Sequence, residues 1–194
     1  ASLLADAAHA TVEGPLGFQA YVSILEGNYP AALKLFDKQG KGMGERARLS
    51  ARVAIHILAG DAAGAKDEME QARSLVEARL LERPLELDNM IQLSWIYLGL
   101  DRKTDALKLA RQAVDLLPPE RDALVGSYTL YNLAVIKART GDASGAIDIL
   151  RRLLAMPAGH EVSLISLKMN PAWDPIRNDP GFQHLLTMKE HIGP

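Results

Sequence analysis

The run Gly40-Lys41-Gly42-Met43-Gly44 combines glycine with a basic side chain, a composition found in loops that hold a phosphate group. A phosphate loop needs Ser or Thr directly after its lysine and a strand before it, and this run has neither. We therefore predict a flexible connecting loop here rather than a nucleotide site.

The other reactive side chains do not form a catalytic pattern. Ser144 lies in Gly141-Asp142-Ala143-Ser144-Gly145, where the order does not match the Gly-x-Ser-x-Gly nucleophile turn. The five histidines include no i, i+4 pair, which argues against a metal site on one helix. Since the chain has no cysteine, thiolate nucleophiles and cysteine-based metal sites are excluded. We predict that the chain is not an enzyme and holds no metal or cofactor.

Charge and hydropathy limit the partners further. The 22 basic and 24 acidic side chains give a net charge of −2, so no broad cationic surface is expected for nucleic acid. The longest uncharged stretch, Ala123 to Ile136, has 14 residues, whereas a membrane-spanning helix needs about 20. We predict no direct nucleic-acid partner and no membrane insertion. The lack of cysteine slightly favours the cytoplasm over the periplasm without deciding the compartment.

A short pattern recurs along the chain: a tight polar turn between two stretches with helical apolar periodicity. Its four copies are Gly27-Asn28-Tyr29-Pro30-Ala31-Ala32, Gly60-Asp61-Ala62-Ala63-Gly64-Ala65, Asp101-Arg102-Lys103-Thr104-Asp105-Ala106 and Gly141-Asp142-Ala143-Ser144-Gly145-Ala146. The last alanines of successive copies are 33, 41 and 40 residues apart, the period of two-helix repeats. Glycine at the turn allows a left-handed helix cap, and only the third copy has Asp instead. The sequence therefore predicts an all-α protein of about four helix hairpins.

These units resemble the tetratricopeptide repeat family. In the third unit, Leu93, Tyr97, Ala106, Ala113 and Pro118 stand where the family has its Leu, Tyr, Ala, Ala and Pro. The first two units match less well, with Gln19 and Arg52 where Leu is usual. The resemblance implies a superhelical array of antiparallel helix hairpins over residues 1–157. Spacings near 40 depart from the family's common value of about 34 and suggest lengthened helices or loops, for example at Glu82–Asp88 and Pro118–Asp122.

The composition changes after Pro157, where prolines and large apolar residues alternate. The segment Asn170-Pro171-Ala172-Trp173-Asp174-Pro175-Ile176-Arg177-Asn178-Asp179-Pro180-Gly181-Phe182 is similar to the ending of repeat regions in multidomain bacterial signalling proteins. Those proteins carry a kinase, a nucleotide cyclase or a winged-helix regulator upstream. We expect residues 158–194 to close the array, with Trp173 and Phe182 packed on the last hairpin.

The resemblance also implies a binding groove lined by the first helix of each unit. The matching positions are Tyr21, Ile24, Ile91, Gln92, Trp95, Tyr128, Tyr131, Asn132 and Arg139. Because this lining is mainly apolar and aromatic, the implied ligand is a peptide with aromatic or aliphatic anchors. Trp95, Tyr128 and Tyr131 have helical spacing, however, and residues in this pattern are more often core than ligand contacts.

Three classes of function remain after these exclusions. The first is a protein- or peptide-binding module that regulates a larger signalling protein. The second is a scaffold for homodimerisation, and the third is a small-molecule sensor or a helical enzyme without a recognisable motif. The sequence favours the first.

Overall fold

The computed structural model describes residues 15–39, 44–156 and 162–188. Within these ranges the protein is helical and contains no strand, so the predicted all-α class is confirmed. Residues 40–43 of the predicted connecting loop lie outside the described residues, as does the predicted domain boundary at 157/158. The described residues form two compact units that divide between Ala106 and Leu107.

The first unit contains five complete helices and the start of a sixth. They are α1 (Pro15–Leu25), α2 (Tyr29–Gln39), α3 (Glu45–Ala59), α4 (Lys66–Glu82), α5 (Leu87–Gly99) and α6 (Lys103–Leu116). From α1 to α5 each helix packs against the next, and α3 also packs against α5.

The second unit contains the rest of α6 and the closing segment. Its further elements are α7 (Ala123–Thr140), α8 (Ala143–Leu154), α9 (Leu164–Met169), a 3₁₀ helix (Pro171–Ile176) and α10 (Pro180–Leu185). Helix α7 packs against α8, the 3₁₀ helix packs on α7, and α10 packs on α8.

All four predicted turns contain one left-handed residue, but the turn after Gly60 is longer than the others, because α4 begins only at Lys66. Gly27, Gly60 and Gly141 have φ of 72°, 73° and 97°, and Asp101 takes the same left-handed region with φ of 58°. Asp101 is the only non-glycine residue with positive φ in the described part of the chain. The Asp of the third copy therefore does what glycine does in the other copies, at a steric cost.

The residue after each left-handed position closes the turn with one recurring hydrogen bond. Its N–H donates to the carbonyl five residues earlier, at distances of 2.7 to 2.9 Å. The donor and acceptor pairs are Asn28 and Ser23, Asp61 and His56, Arg102 and Tyr97, and Asp142 and Lys137. This bond satisfies a carbonyl that the helix end would otherwise leave unpaired.

The four predicted alanines have matching positions: Ala32, Ala106 and Ala146 are the fourth residues of α2, α6 and α8, whereas Ala65 directly precedes α4. Ala32, Ala65, Ala106 and Ala146 are all buried. Since a methyl group is the smallest side chain of a chiral residue, alanine there lets neighbouring helices approach closely while keeping good helix propensity.

Asp142 begins α8 by capping it. Its carboxylate accepts a hydrogen bond from the backbone N–H of Gly145 at 2.9 Å and a second bond from the Lys137 ammonium. The bond from Lys137 lowers the pKa of Asp142, and the Gly145 N–H adds to this effect. The turn between α7 and α8 therefore holds its carboxylate in the charged form.

At the two places where the sequence suggests lengthened helices or loops, one connection runs from Arg83 to Glu86, and the other leads from Leu117 to Asp122, the N-cap of α7. In the second connection the backbone crosses close to Gly126, where an added Cβ would lie 2.5 Å from Pro119 N. Glycine in α7 is thus needed for the close approach of this loop.

We expect Asp101→Gly to raise the free energy of unfolding by up to about 1 kcal/mol, because glycine adopts positive φ without a Cβ clash. The matched change Gly141→Asp introduces the same clash and should lower the free energy of unfolding by about 1 kcal/mol. Urea denaturation followed by circular dichroism measures both. Loss of stability in Asp101→Gly would contradict the strain argument, since the ion pair of Asp101 with Lys103 is exposed.

Candidate binding surfaces

In the first unit, the residues assigned to the groove differ in accessibility. Ile24, Ile91 and Trp95 are buried, whereas Tyr21 and Gln92 are partly exposed. Apolar anchoring by the three buried side chains would require them to become accessible. Gln92 accepts hydrogen bonds from two side chains of α3.

Gln92 belongs to a polar cluster between α3 and α5. The Arg46 guanidinium donates to Gln92 Oε1 at 2.6 Å and to Asn89 Oδ1 at 3.1 Å. The Ser50 hydroxyl donates to Gln92 Oε1 at 3.2 Å. Asn89 is fully buried and donates from Nδ2 to Glu86 Oε2 at 2.9 Å. We call these five side chains the α3–α5 polar cluster.

A second carboxylate lies close to this cluster. Partial removal of Asp88 from water raises the pKa of its carboxyl group, and the negative charge of Glu86 adds to that effect. The positive charge of Arg46 opposes both. The α3–α5 surface therefore presents a cation and carboxylates side by side, a combination suited to hydrogen bonding with polar groups of a partner.

In the second unit, two of the predicted groove residues contact the closing segment. The Tyr131 ring meets the Trp173 indole edge to face, with ring centroids 5.4 Å apart. Asn170 Nδ2 donates to the Tyr131 hydroxyl at 3.1 Å, in a buried position. Arg139 Nη2 donates to the Pro171 carbonyl at 2.8 Å.

The other two predicted residues of the second unit lie on α7. Asn132 is buried and donates from Nδ2 to the Tyr128 carbonyl of its own helix at 2.9 Å. Tyr128 is partly exposed. Of the four α7 residues assigned to the groove, Tyr131 and Asn132 are thus the buried ones, which favours packing for Tyr131.

The packing role predicted for Trp173 and Phe182 is confirmed. Both side chains are fully buried, and their ring centroids are 6.4 Å apart. Arg177 fixes the segment from outside by donating to the carbonyls of Lys168 at 2.6 Å and Asn170 at 2.9 Å. The closing segment is therefore held by an aromatic interior and by one arginine that satisfies carbonyls at the end of α9.

Arg46, Asn89 and Ser50 were not among the sequence-predicted residues. Arg46 and Asn89 come from helices more than 40 residues apart in sequence, and their pairing depends on how α3 and α5 pack. One sequence signal for this cluster was available. Ser50 is a polar residue among the apolar residues Leu49, Ala51 and Val53.

Comparisons with protein-family models, with curated proteins and with solved structures found no match. The tetratricopeptide resemblance thus depends on this chain's own residues. No group of three or more His, Asp or Glu in the described ranges could hold a metal ion. No helix in those ranges is both long enough and apolar enough to cross a bilayer.

We expect Tyr131→Phe to lower the free energy of unfolding by about 1 to 2 kcal/mol, because the buried Asn170 amide would lose its acceptor. The matched change Tyr97→Phe removes a hydroxyl that donates to the partly exposed Glu77 at 2.8 Å. Since Arg73 also binds Glu77, Tyr97→Phe should cost less. Urea denaturation gives both values. An equal loss of free energy of unfolding in the two variants would show that the buried Tyr131–Asn170 bond stabilises the fold no more than the partly exposed Tyr97–Glu77 bond.

Proposed function

We propose that this chain is a helical repeat module of the tetratricopeptide type that binds a protein or peptide. The observation that carries the proposal is the recurrence of one turn at four places. Each copy combines a left-handed residue, a hydrogen bond to the carbonyl five residues earlier and a buried alanine. Such repetition supports a chain built from equivalent helix pairs.

Stacking of helix pairs connects this architecture to binding. A single helix pair cannot bury its apolar face, so neighbouring pairs stack and form a shared core. The packing of α3 on α5, in addition to α3 on α4, is consistent with stacking of first helices. Stacked first helices offer one extended surface, which repeat proteins commonly use to hold a partner.

The chemistry of the α3–α5 polar cluster supports recognition through hydrogen bonds. Arg46 and Gln92 are partly exposed, and Asp88 lies beside them. Together they offer donors and an acceptor to the backbone or polar side chains of a peptide. Because Ile91 and Trp95 are buried, we infer that polar contacts contribute more to binding than the aromatic anchors suggested by the sequence.

Homodimerisation is the second candidate, supported by exposed apolar side chains. Leu81 and Leu85 are 83% and 71% exposed at the end of α4 and the loop after it. In the second unit, Ile165 and Met169 are 67% and 51% exposed on α9. Apolar groups in contact with water favour association. A monomer in size-exclusion chromatography with light scattering would exclude this candidate.

The wider role we propose is regulatory. A non-catalytic binding module in a signalling protein would place its partner near an upstream effector domain. The resemblance of the closing segment to the ends of repeat regions in such proteins supports this context.

The test is selection of binding peptides from a displayed library of short random sequences, followed by fluorescence anisotropy with the selected peptide. We expect Arg46→Ala to weaken binding about fivefold or more, since one hydrogen bond to a charged group contributes about 1 kcal/mol or more. Gln92→Ala should also weaken binding. Circular dichroism confirms that each variant is folded.

The matched control is Arg73→Ala. Arg73 lies on α4, the second helix of its pair, where it forms ion pairs with Glu70 and Glu77. We expect this variant to bind the peptide like the wild type. Failure to select any peptide that binds in solution, or equal loss in Arg46→Ala and Arg73→Ala, would contradict the proposal.

A further inference from the structure

One carboxylate of the α3–α5 surface is not engaged by the protein itself. Asp88 is exposed in the first turn of α5. In the described part of the chain its side chain forms no hydrogen bond and no ion pair. The carboxylate of Glu86, by contrast, accepts from Asn89 Nδ2 at 2.9 Å and lies 3.3 Å from Arg79 Nε. Asp88 is therefore the acidic group of this surface that is available to a ligand.

Asp88 lies one helical turn before Gln92, on the same face of α5. Residues four apart on a helix are surface neighbours, with Cβ atoms about 5 to 6 Å from each other. Gln92 Oε1 accepts from Arg46 and Ser50, which fixes the orientation of the amide. Gln92 Nε2 has no hydrogen-bond partner among the described residues, so it is available to donate to a peptide carbonyl. A peptide held there brings its side chains within reach of the Asp88 carboxylate.

The charged neighbours of Asp88 leave a net negative field at its carboxylate. The pKa of Asp88 is raised, first by partial removal from water and then by the negative charge of Glu86. The positive charge of Arg46 acts in the opposite direction, and its effect is the smallest of the three. Because repulsion by Glu86 exceeds attraction by Arg46, a cation placed beside Asp88 is stabilised, whereas an anion is repelled.

Arg46 does not supply the cation that Asp88 lacks. Its Nη1 donates to Gln92 Oε1 at 2.6 Å and to Asn89 Oδ1 at 3.1 Å, and no hydrogen bond joins it to Asp88 within the described ranges. The guanidinium is thus bound to two amide oxygens rather than to the carboxylate. A cation that pairs with Asp88 has to come from outside this surface.

We propose that Asp88 determines the specificity of the α3–α5 surface, and that the bound peptide carries a lysine or arginine that pairs with the Asp88 carboxylate. This inference rests on the proposed peptide-binding function and adds the charge of the ligand. The same carboxylate disfavours peptides with an acidic residue at that place, because like charges side by side repel each other.

The first test is selection from a displayed library of short random peptides, performed in parallel on the wild type and on Asp88→Lys. We expect the peptides selected on the wild type to be enriched in lysine or arginine at one aligned position. Those selected on Asp88→Lys should prefer aspartate or glutamate at that position. Equal charge preferences in the two selections would overturn the proposal.

The second test measures the pairing by fluorescence anisotropy. One peptide selected on the wild type is compared with its variant in which the basic residue is glutamine. We expect the variant peptide to bind the wild type at least about threefold more weakly at low ionic strength. On Asp88→Asn the two peptides should bind equally, because the pairing is already lost. The comparison on the wild type needs no protein variant, so it decides the matter even if Asp88→Asn does not fold.

The matched control is Asp67→Asn. Asp67 is the second residue of α4, as Asp88 is of α5, and it is also exposed. Both variants remove one negative charge from the first turn of a helix, where such a charge favours the helix dipole. The control should keep the difference between the two peptides. If Asp67→Asn abolishes this difference as Asp88→Asn does, net charge rather than a specific pair is responsible, and the proposal is overturned.

Failure of this inference is distinguishable from failure of the proposed function. Selected peptides that lose affinity for Arg46→Ala but show no preference for a basic residue would overturn the pairing with Asp88 and leave peptide binding in place. If no peptide that binds in solution is selected, both are overturned.

Discussion

Reversal of the chain between paired helices is the constraint on which the rest of this structure depends. Each reversal needs one residue with positive φ, because only then can the next N–H reach the carbonyl five residues back and satisfy it. Glycine meets this need without strain in three of the copies, and Asp101 meets it with strain in the fourth. In three of the copies the second helix begins two residues after the left-handed position, and in the copy with Gly60 it begins six residues after it. In all four copies the fifth residue after the left-handed position is nevertheless a buried alanine.

Features that depend on local chemistry could be predicted from the sequence. The positions of the turns are predicted by a glycine or Asp that is followed by Asp, Asn or Arg. The burial of the alanines is predicted by their fixed distance from these turns. Prolines in the closing segment exclude a continuous helix, and its Trp and Phe are too large and apolar to remain in water. The observed 3₁₀ helix and two short helices, with Trp173 and Phe182 buried, agree with this.

Features that depend on which helix face is covered could not be predicted in the same way. Helical spacing places Trp95 and Tyr131 on the apolar faces of α5 and α7, the first helices of the third and fourth predicted pairs. Spacing does not say whether such a face contacts a ligand or another part of the chain. Tyr131 meets Asn170, which lies 39 residues further along and belongs to a segment with a different composition. The Arg46–Gln92 bond joins residues 46 apart. Pairings at such separations arise from packing, and no local pattern encodes them.

Arg52 illustrates how a charged side chain at a half-buried position of a helix can be compensated. A leucine at this place would contribute by burying apolar surface, whereas a half-buried guanidinium loses hydration and must recover it through partners. Asp37 and Glu68 supply those partners from the helices on either side. The hydrogen bond with Glu68 raises the pKa of Arg52, so the guanidinium stays charged despite its partial burial. At this place the contact between neighbouring helices is therefore made by ion pairs rather than by apolar packing.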